Sequence, residues 1–162
     1  RRAPFCIFVA CNRDDSALAH FWSEAAKMRK IVFRRCVVVL ARDIEMSLYI
    51  SSCIECSGCT VLHPRSEEEL YGVLLTTHID LVIVVVSHPI TLGNRLYRWV
   101  DSLRSAGVDI FVVMQQHSVH HTIRLLGAGV RQCLTLPIAP QRLRSKVHKH
   151  LGIDCDSNGR IS

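Results

Sequence analysis

Hydrophobic residues follow two alternating patterns along this chain. Short apolar runs rich in β-branched residues are typical of buried strands, whereas apolar residues three or four positions apart are typical of amphipathic helices. The runs predict strands at residues 5–10, 36–41, 60–63, 80–86, 109–114 and 132–135. The spaced residues predict helices at 16–30, 44–56, 66–77, 92–106, 119–126 and 140–151. This alternation, with short connections, favours a doubly wound parallel α/β sheet.

The run at residues 80–86, Asp-Leu-Val-Ile-Val-Val-Val, is apolar without alternation. That pattern predicts a central parallel strand that is buried on both faces. In open parallel sheets, ligands bind just beyond the carboxyl ends of such strands. Here that end offers Val85, Val86 and Ser87, followed by His88. A catalytic centre at this place needs an acid or a strong nucleophile, and Val85 is neither.

Composition places the chain among globular domains. Its 162 residues are 49% hydrophobic, and a domain of that length buries about 70% of its unfolded surface, so its core needs neither metal nor disulfide. The net charge of +6 is scattered and identifies no class of partner. The apolar stretch 81–86 is far shorter than the ~20 residues of a membrane span, so we expect no membrane insertion. The first four residues show neither an initiator Met nor a signal-peptide pattern, which suggests a piece of a larger protein.

Eight cysteines occur in the sequence. Four of them lie in or beside predicted strands, where a thiol behaves as a small hydrophobe: Cys6, Cys11, Cys36 and Cys133. A parallel α/β domain without a secretion signal is usually cytosolic, so we expect reduced thiols and a cytoplasmic location. The run Cys53-x-x-Cys56-x-x-Cys59 has metal-like spacing but no evident fourth ligand. It leaves two alternatives, incidental cysteines or a metal or redox site.

The histidines give no clear catalytic pattern. His117, His120 and His121 lie at the start of a predicted helix without a neighbouring acid, which favours exposed polar side chains. His88 follows the central strand and is either an ordinary turn residue or a group that reports pH. We therefore expect no metal ligand, cofactor-binding residue or catalytic base among them.

Two segments give the chain a resemblance to a known family. The first is the central strand with Pro89 and Gly93 after it, and the second is Ala-Gly-Val-Arg-Gln-Cys-Leu-Thr-Leu-Pro at residues 128–137. Through them, residues 36–151 resemble the receiver domain of two-component response regulators, which takes a phosphoryl group onto an aspartate. The resemblance implies a flavodoxin-like fold with a five-stranded parallel sheet of order 2-1-3-4-5. The expected organisation is an extra N-terminal strand and helix at 1–32, a receiver-like domain at 33–152 and a tail towards a following module at 153–162.

The metal and phosphoacceptor positions of a receiver are replaced in this chain. A receiver binds Mg²⁺ with a pair of acids after its first strand, and the matching residues are Ala41 and Arg42, followed by one acid, Asp43. The phosphoacceptor position is Val85, which has no nucleophilic oxygen. One carboxylate beside a guanidinium is a poor site for a dication. The resemblance therefore implies that metal binding and phosphotransfer have been lost.

The two remaining receiver positions are apolar as well. The residue that senses the phosphoryl group corresponds to Met114, or to Gln115 after a shift of one, and the charge-neutralising lysine corresponds to Leu136. By the receiver geometry, Val85, Met114 and Leu136 converge at one end of the sheet. We expect them to close the cavity there and to stabilise the fold by roughly 1–3 kcal/mol per buried side chain. The resemblance thus implies a pseudo-receiver, a non-catalytic domain without cofactor or metal that is retained for its surfaces.

The last predicted helix has a basic outer face formed by Arg142, Arg144, Lys146 and Lys149. In receivers, the fourth and fifth helices and the strand between them often form a dimer or partner face. The expected partners are therefore other domains of the parent protein, a signalling protein, or a second copy bound through the last two helices. Nucleic-acid binding is not expected, because no aromatic residues are interleaved with the basic ones for base stacking.

The favoured interpretation is a regulatory pseudo-receiver from a multidomain signalling protein, such as the cytosolic part of a receptor or kinase. One alternative is a six-unit enzyme or nucleotide-binding domain that uses the loop at residues 11–16, although Gly127-Ala128-Gly129 is too short for a phosphate-binding loop. Another is a DNA-binding regulator without its effector half.

The tail at residues 154–162 resembles the first nine positions of an EF-hand loop, the start of a PAS-like sensor domain or a plain turn, and these three interpretations stay open.

Overall fold

In a computed structural model of the protein, residues 34–56, 58–87 and 89–153 are described. Their strands are β1 Arg35–Ala41, β2 Cys59–Leu62, β3 Leu81–Val86, β4 Asp109–Met114 and β5 Gln132–Thr135. Their helices are α1 Ile44–Ile54, α2 Glu67–Thr76, α3 Pro89–Ser105, α4 Val119–Gly127 and α5 Pro140–Leu151. All strand pairs are parallel, and the sheet order is β2-β1-β3-β4-β5.

The flavodoxin-like topology predicted from the sequence is confirmed, including the strand order 2-1-3-4-5. Four features considered in the sequence lie outside the described residues: the strand predicted at 5–10, the helix predicted at 16–30, His88 and the tail at 154–162. No helix in the described ranges combines the length and apolar character needed to cross a bilayer.

Strand β3 lies at the centre of the sheet and each of its six residues is buried. Its side chains alternate between two faces, because successive residues of a strand point to opposite sides of a sheet. Val82, Val84 and Val86 pack under α2, α3 and α4, and we call this cluster the α2–α4 core. Leu81, Ile83 and Val85 pack under α1 and α5 in the α1/α5 core. Both faces of the sheet are therefore covered, as expected for a doubly wound parallel sheet.

Polar residues near the carboxyl end of the sheet form hydrogen bonds at the starts of two helices. The Asp43 carboxylate accepts a hydrogen bond from the Glu45 N–H (3.0 Å) and caps α1. The Ser66 hydroxyl accepts from the Glu69 N–H (3.1 Å) and caps α2, and the Glu69 carboxylate accepts from the Arg65 N–H (2.7 Å). The Asp43 carboxylate thus satisfies a backbone group that a helix start leaves free, and the Glu69 carboxylate ties α2 to the residue before its cap.

Some helix limits differ from the prediction for local reasons. Helix α3 begins at Pro89 instead of residue 92, because proline is tolerated in the first turn of a helix. The helix is interrupted at Gly93, whose φ of 35° is in a region that favours glycine. Helix α1 ends at Ile54, two residues early, because Cys56 turns back to pair with Cys59 at the start of β2.

Candidate functional site

A cavity of about 330 Å³ lies at the carboxyl end of the sheet, between the ends of β1 and β3 and the helices α2 and α3. Its position is the one at which open parallel sheets bind ligands. The lining residues are Leu40, Ala41, Arg42, Pro64, Arg65, Ser66, Glu67, Leu70, Val84, Val85, Ser87, Arg95 and Trp99. The cavity therefore includes three of the positions predicted to match those that carry receiver chemistry, Ala41, Arg42 and Val85.

The floor of the cavity is apolar and formed by core residues. Leu40, Leu70 and Val84 are buried members of the α2–α4 core, and the half-buried Trp99 packs against the same core. Because these side chains come from two strands and two helices, the floor exists only in the folded sheet. A ligand there meets hydrocarbon and an indole face.

One wall of the cavity is fixed by a polar cluster of Glu67, Arg95 and Trp99. The Glu67 carboxylate accepts hydrogen bonds from Arg95 Nε (2.6 Å) and Trp99 Nε1 (3.0 Å) and also pairs with the terminal nitrogen of Arg95. The Arg95 guanidinium lies 5.2 Å from the centre of the Trp99 ring, in cation–π contact. The two α3 residues are four apart, so they share one face of the helix. These contacts orient the Trp99 indole. They also engage the carboxylate of Glu67, which is the only carboxylate among the described lining residues.

The rim of the cavity is cationic. Arg42 and Arg65 are exposed, and within the described ranges neither guanidinium has a hydrogen-bonding or ion-pair partner. Together with Arg95 they set three guanidinium groups against the carboxylate of Glu67. An acidic metal site is absent from these lining residues, and the electrostatics favour an anion over a dication.

The predicted receiver positions do not all converge. Ala41 and Val85 are register partners on neighbouring strands, and Leu136 packs against the same α1/α5 core. Met114 lies in the α2–α4 core on the opposite face, because it pairs in register with Val86 and not with Val85. The prediction that three apolar side chains meet and close the cavity is therefore wrong in two respects: Met114 points away, and the cavity stays open.

The basic face predicted on α5 is also divided. Arg142, Lys146 and Lys149 line a groove with Gln132 of β5, and Lys146 Nζ lies 3.4 Å from the Gln132 side-chain oxygen. Arg144 does not belong to this face, because its Nε donates a hydrogen bond to the Cys53 carbonyl on α1 (2.8 Å). Its role is to join α5 to α1.

An exposed apolar stripe on α4 was not predicted. Val119, Ile123 and Leu126 are 62%, 65% and 47% exposed and recur every three or four residues, so they form one face of the helix. Their spacing was visible in the sequence, but spacing alone does not tell whether a stripe faces the core or solvent. The core side of α4 is held by Leu125 instead.

The remaining sequence candidates are the cysteines and histidines, and several of them lie within the described ranges. In the described ranges, no group of histidines, cysteines and acids is arranged to hold a metal ion. Burial raises the pKa of the Cys59 thiol to about 12, with the nearby Cys56 contributing, and burial raises the pKa of Cys133 to about 11. Thiols with such pKa values are poor nucleophiles at neutral pH. His121 lies 2.8 Å from the Ser118 hydroxyl at the start of α4.

An acidic group at the other end of the sheet predicts a pH dependence of stability. Asp109 lies 2.7 Å from Arg131 Nε and 3.0 Å from His150 Nε2. Burial raises the pKa of the Asp109 carboxyl, but the hydrogen bond and charge of Arg131, together with His150, outweigh burial and lower it overall. A lowered pKa in the folded state gives stability that is present above the unfolded carboxyl pKa of about 3.9 and is lost as pH falls through the folded value.

We therefore expect Asp109→Asn to destabilise the protein at neutral pH and to have little effect in strong acid. Urea unfolding at a series of pH values measures the difference between the two proteins. The control is Asp101→Asn, which changes an exposed aspartate on α3. A difference that stays constant down to the most acidic pH would contradict this assignment.

Comparison with known proteins adds the fold relationship. No protein-family model matches the chain, and no curated protein matches it. Among solved structures, a response regulator from Thermotoga maritima superimposes with a TM-score of 0.66 and 20% identity, over 74% of this chain and 98% of that one. A two-component response regulator from Clostridium difficile gives 0.63 and 16%, over 74% and 97%. An orphan response regulator of H. pylori gives 0.61 and 12%, over 72% and 96%.

Sequence identities of this size establish a shared fold and leave the chemistry to the residues of this chain. The superpositions span nearly the whole of each matched structure. They agree with the five-stranded parallel fold of the described residues. The described part of the chain therefore has the fold of a response-regulator receiver domain.

Proposed function

We propose that this domain is a pseudo-receiver, a non-catalytic regulatory module that acts through contacts with other domains or proteins and accepts no phosphoryl group. The observation that carries the proposal is that Ala41 pairs in register with Val85 at the carboxyl end of the sheet, where a receiver holds its acids. Neither side chain supplies an oxygen. Arg42, the next residue, adds a positive charge where a metal ion would be needed.

The chemistry of phosphoryl transfer supports this proposal. Transfer to an aspartate, as in a receiver, requires its carboxylate oxygen as nucleophile and a cation that neutralises the developing charge on the phosphoryl group. In the described lining of the cavity the carboxylate belongs to Glu67, and Arg95 and Trp99 already occupy it. The Asp43 carboxylate caps α1. No acid of the described cavity lining is therefore left to act as acceptor or metal ligand.

The surface around β5 supports a role in protein contact. The apolar stripe of α4 and the basic groove of α5 lie on helices that flank this edge strand. An exposed apolar stripe is typical of a surface that docks a partner, and cationic side chains favour a partner with complementary acidic groups. We propose that another domain of the parent protein, a signalling partner or a second copy of the chain binds there.

The phosphorylation half of the proposal is tested with acetyl phosphate and Mg²⁺. We expect no acyl phosphate by intact-mass analysis, because the acceptor position is a valine. An active receiver treated in parallel confirms that the reagent works. Stoichiometric, hydroxylamine-sensitive phosphorylation of this chain would overturn the proposal.

The contact half is tested by self-association in sedimentation equilibrium. Ile123→Glu combined with Lys146→Glu places charge on the stripe and reverses charge in the groove, and we expect it to weaken any dimer. Leu75→Glu is the matched control, because Leu75 is an exposed apolar residue on α2, away from β5. Equal weakening by both variants would contradict the assigned face.

The alternative of a six-unit enzyme is not proposed. Its supporting loop at residues 11–16 lies outside the described residues, and the fold comparisons give it no support.

A further inference from the structure

We propose that the cavity between α2 and α3 binds a small organic anion, with a ring-sized apolar body and one carboxylate or phosphate head. This adds a small-molecule input to the domain and does not depend on the partner face around β5. Its basis is the combination of an apolar floor with a cationic rim in one enclosure.

The size of the cavity sets the size of the ligand. A volume of about 330 Å³ is at the lower end of the range for ligand pockets, about 300–1,000 Å³. That volume suits a molecule with one or two rings and is too small for a folded peptide segment. The ligand's body would contact Leu40, Leu70 and Val84 below and the Trp99 indole at the side.

The charge of the rim sets the charge of the ligand. Arg95 is committed to Glu67, whereas the guanidinium groups of Arg42 and Arg65 have no partner in the described ranges. Guanidinium groups bind carboxylates and phosphates through paired N–H donors. A cation would be repelled by three arginines, and a neutral ring would leave Arg42 and Arg65 without a counter-charge.

The floor excludes a bare inorganic anion as the natural occupant. Phosphate or sulfate alone carries polar oxygens on every side, and those directed at the leucine and valine side chains would lose their hydrogen bonds to water. An anion with an apolar body places its oxygens at the rim and its hydrocarbon on the floor. Both halves of the cavity are then satisfied by one molecule.

Trp99 provides a direct spectroscopic probe of this site. The chain has two tryptophans, Trp22 and Trp99, so Trp22→Phe leaves one indole N–H signal in the NMR spectrum of ¹⁵N-labelled protein. That N–H donates to Glu67 in the cavity wall. We would titrate this variant with benzoate, phenyl phosphate, benzyl alcohol and inorganic phosphate. The first two carry the proposed ring and charge, the third lacks the charge and the fourth lacks the ring.

We expect a saturable shift of the Trp99 signal with benzoate or phenyl phosphate, with a Kd of about 1 mM or tighter. Whichever of the two binds more tightly identifies the head group. Arg42→Gln combined with Arg65→Gln should weaken binding by about tenfold or more, because charge-assisted hydrogen bonds are lost. The control Arg98→Gln removes an exposed arginine of α3 that does not line the cavity and should leave binding unchanged.

Several results would overturn the proposal. These are no saturable shift with either ring-bearing anion, equal affinity for benzyl alcohol, or equal affinity for inorganic phosphate and phenyl phosphate. Equal loss of binding in Arg98→Gln and in the double variant would also overturn it. Both arginines are exposed, so we expect the double variant to stay folded, and the dispersion of its amide spectrum verifies this.

Discussion

Val85→Asp is expected to lower the free energy of unfolding by about 3 kcal/mol near pH 7, because it places a charge among apolar groups. Val85 is 6% exposed and packs in the α1/α5 core, with Ala41 beside it on β1. Apart from the weak S–H donors of its cysteines, the α1/α5 core as described offers no side-chain hydrogen-bond donor, and Ala41 offers none either. Placing a carboxylate at this position therefore costs stability, and without a second acid at Ala41 or Arg42 we expect it to give no phosphorylation.

The pH dependence of the stability of Val85→Asp separates the effect of the introduced charge from the effect of the changed side-chain shape. A buried carboxyl has a raised pKa in the folded state, so its extra destabilisation is fully present above that pKa and disappears below the unfolded value of about 3.9. Val85→Asn is the matched control, because it has the same size and a polar group but no charge. We expect the two variants to differ in urea unfolding near neutral pH and to converge in acid. A constant difference across the range would show that burial does not raise the pKa of the introduced carboxyl.

Phe111→Ala is expected to lower the free energy of unfolding by about 3–5 kcal/mol, the usual effect of deleting a buried aromatic ring. Phe111 lies in β4, has no exposed surface and is among the largest fully buried side chains of the described residues. Its ring centre is 5.0 Å from that of His150 on α5, so the substitution also removes an aromatic contact between the sheet and that helix.

The measurement is urea unfolding at neutral pH with Leu75→Ala as the control. Leu75 is 87% exposed on α2, and we expect its truncation to change stability by no more than about 0.5 kcal/mol. A similar small loss for Phe111→Ala would contradict the burial of the Phe111 ring in the core.

The positions of the basic residues on α5 could be predicted in part from the sequence. Helical spacing places Arg142, Lys146 and Lys149 on one face, since they are four and three residues apart. Arg144 is two residues from Arg142, on the other side of the helix. That separation was readable from the sequence, whereas the contact of Arg144 with the Cys53 carbonyl depends on how α5 packs against α1.

Met114 shows where sequence reasoning fails. Alternation within a strand tells which residues share a face, but the match between two strands depends on their register. Here Val86 and not Val85 lies beside Met114, so Val85 and Met114, the two positions predicted to match a receiver's, point to opposite faces.

The alternating strands and helices and the burial of β3 on both faces could be derived from the sequence. They follow from local apolar patterns and from residue identity, and the two receiver-like segments added the strand order. The open cavity at the carboxyl end of the sheet could not be derived in this way. Glu67 and Trp99 are 32 residues apart and meet because α2 and α3 pack on the same face of the sheet. Local spacing fixes which face of an element is apolar, whereas contacts between distant elements depend on packing and register.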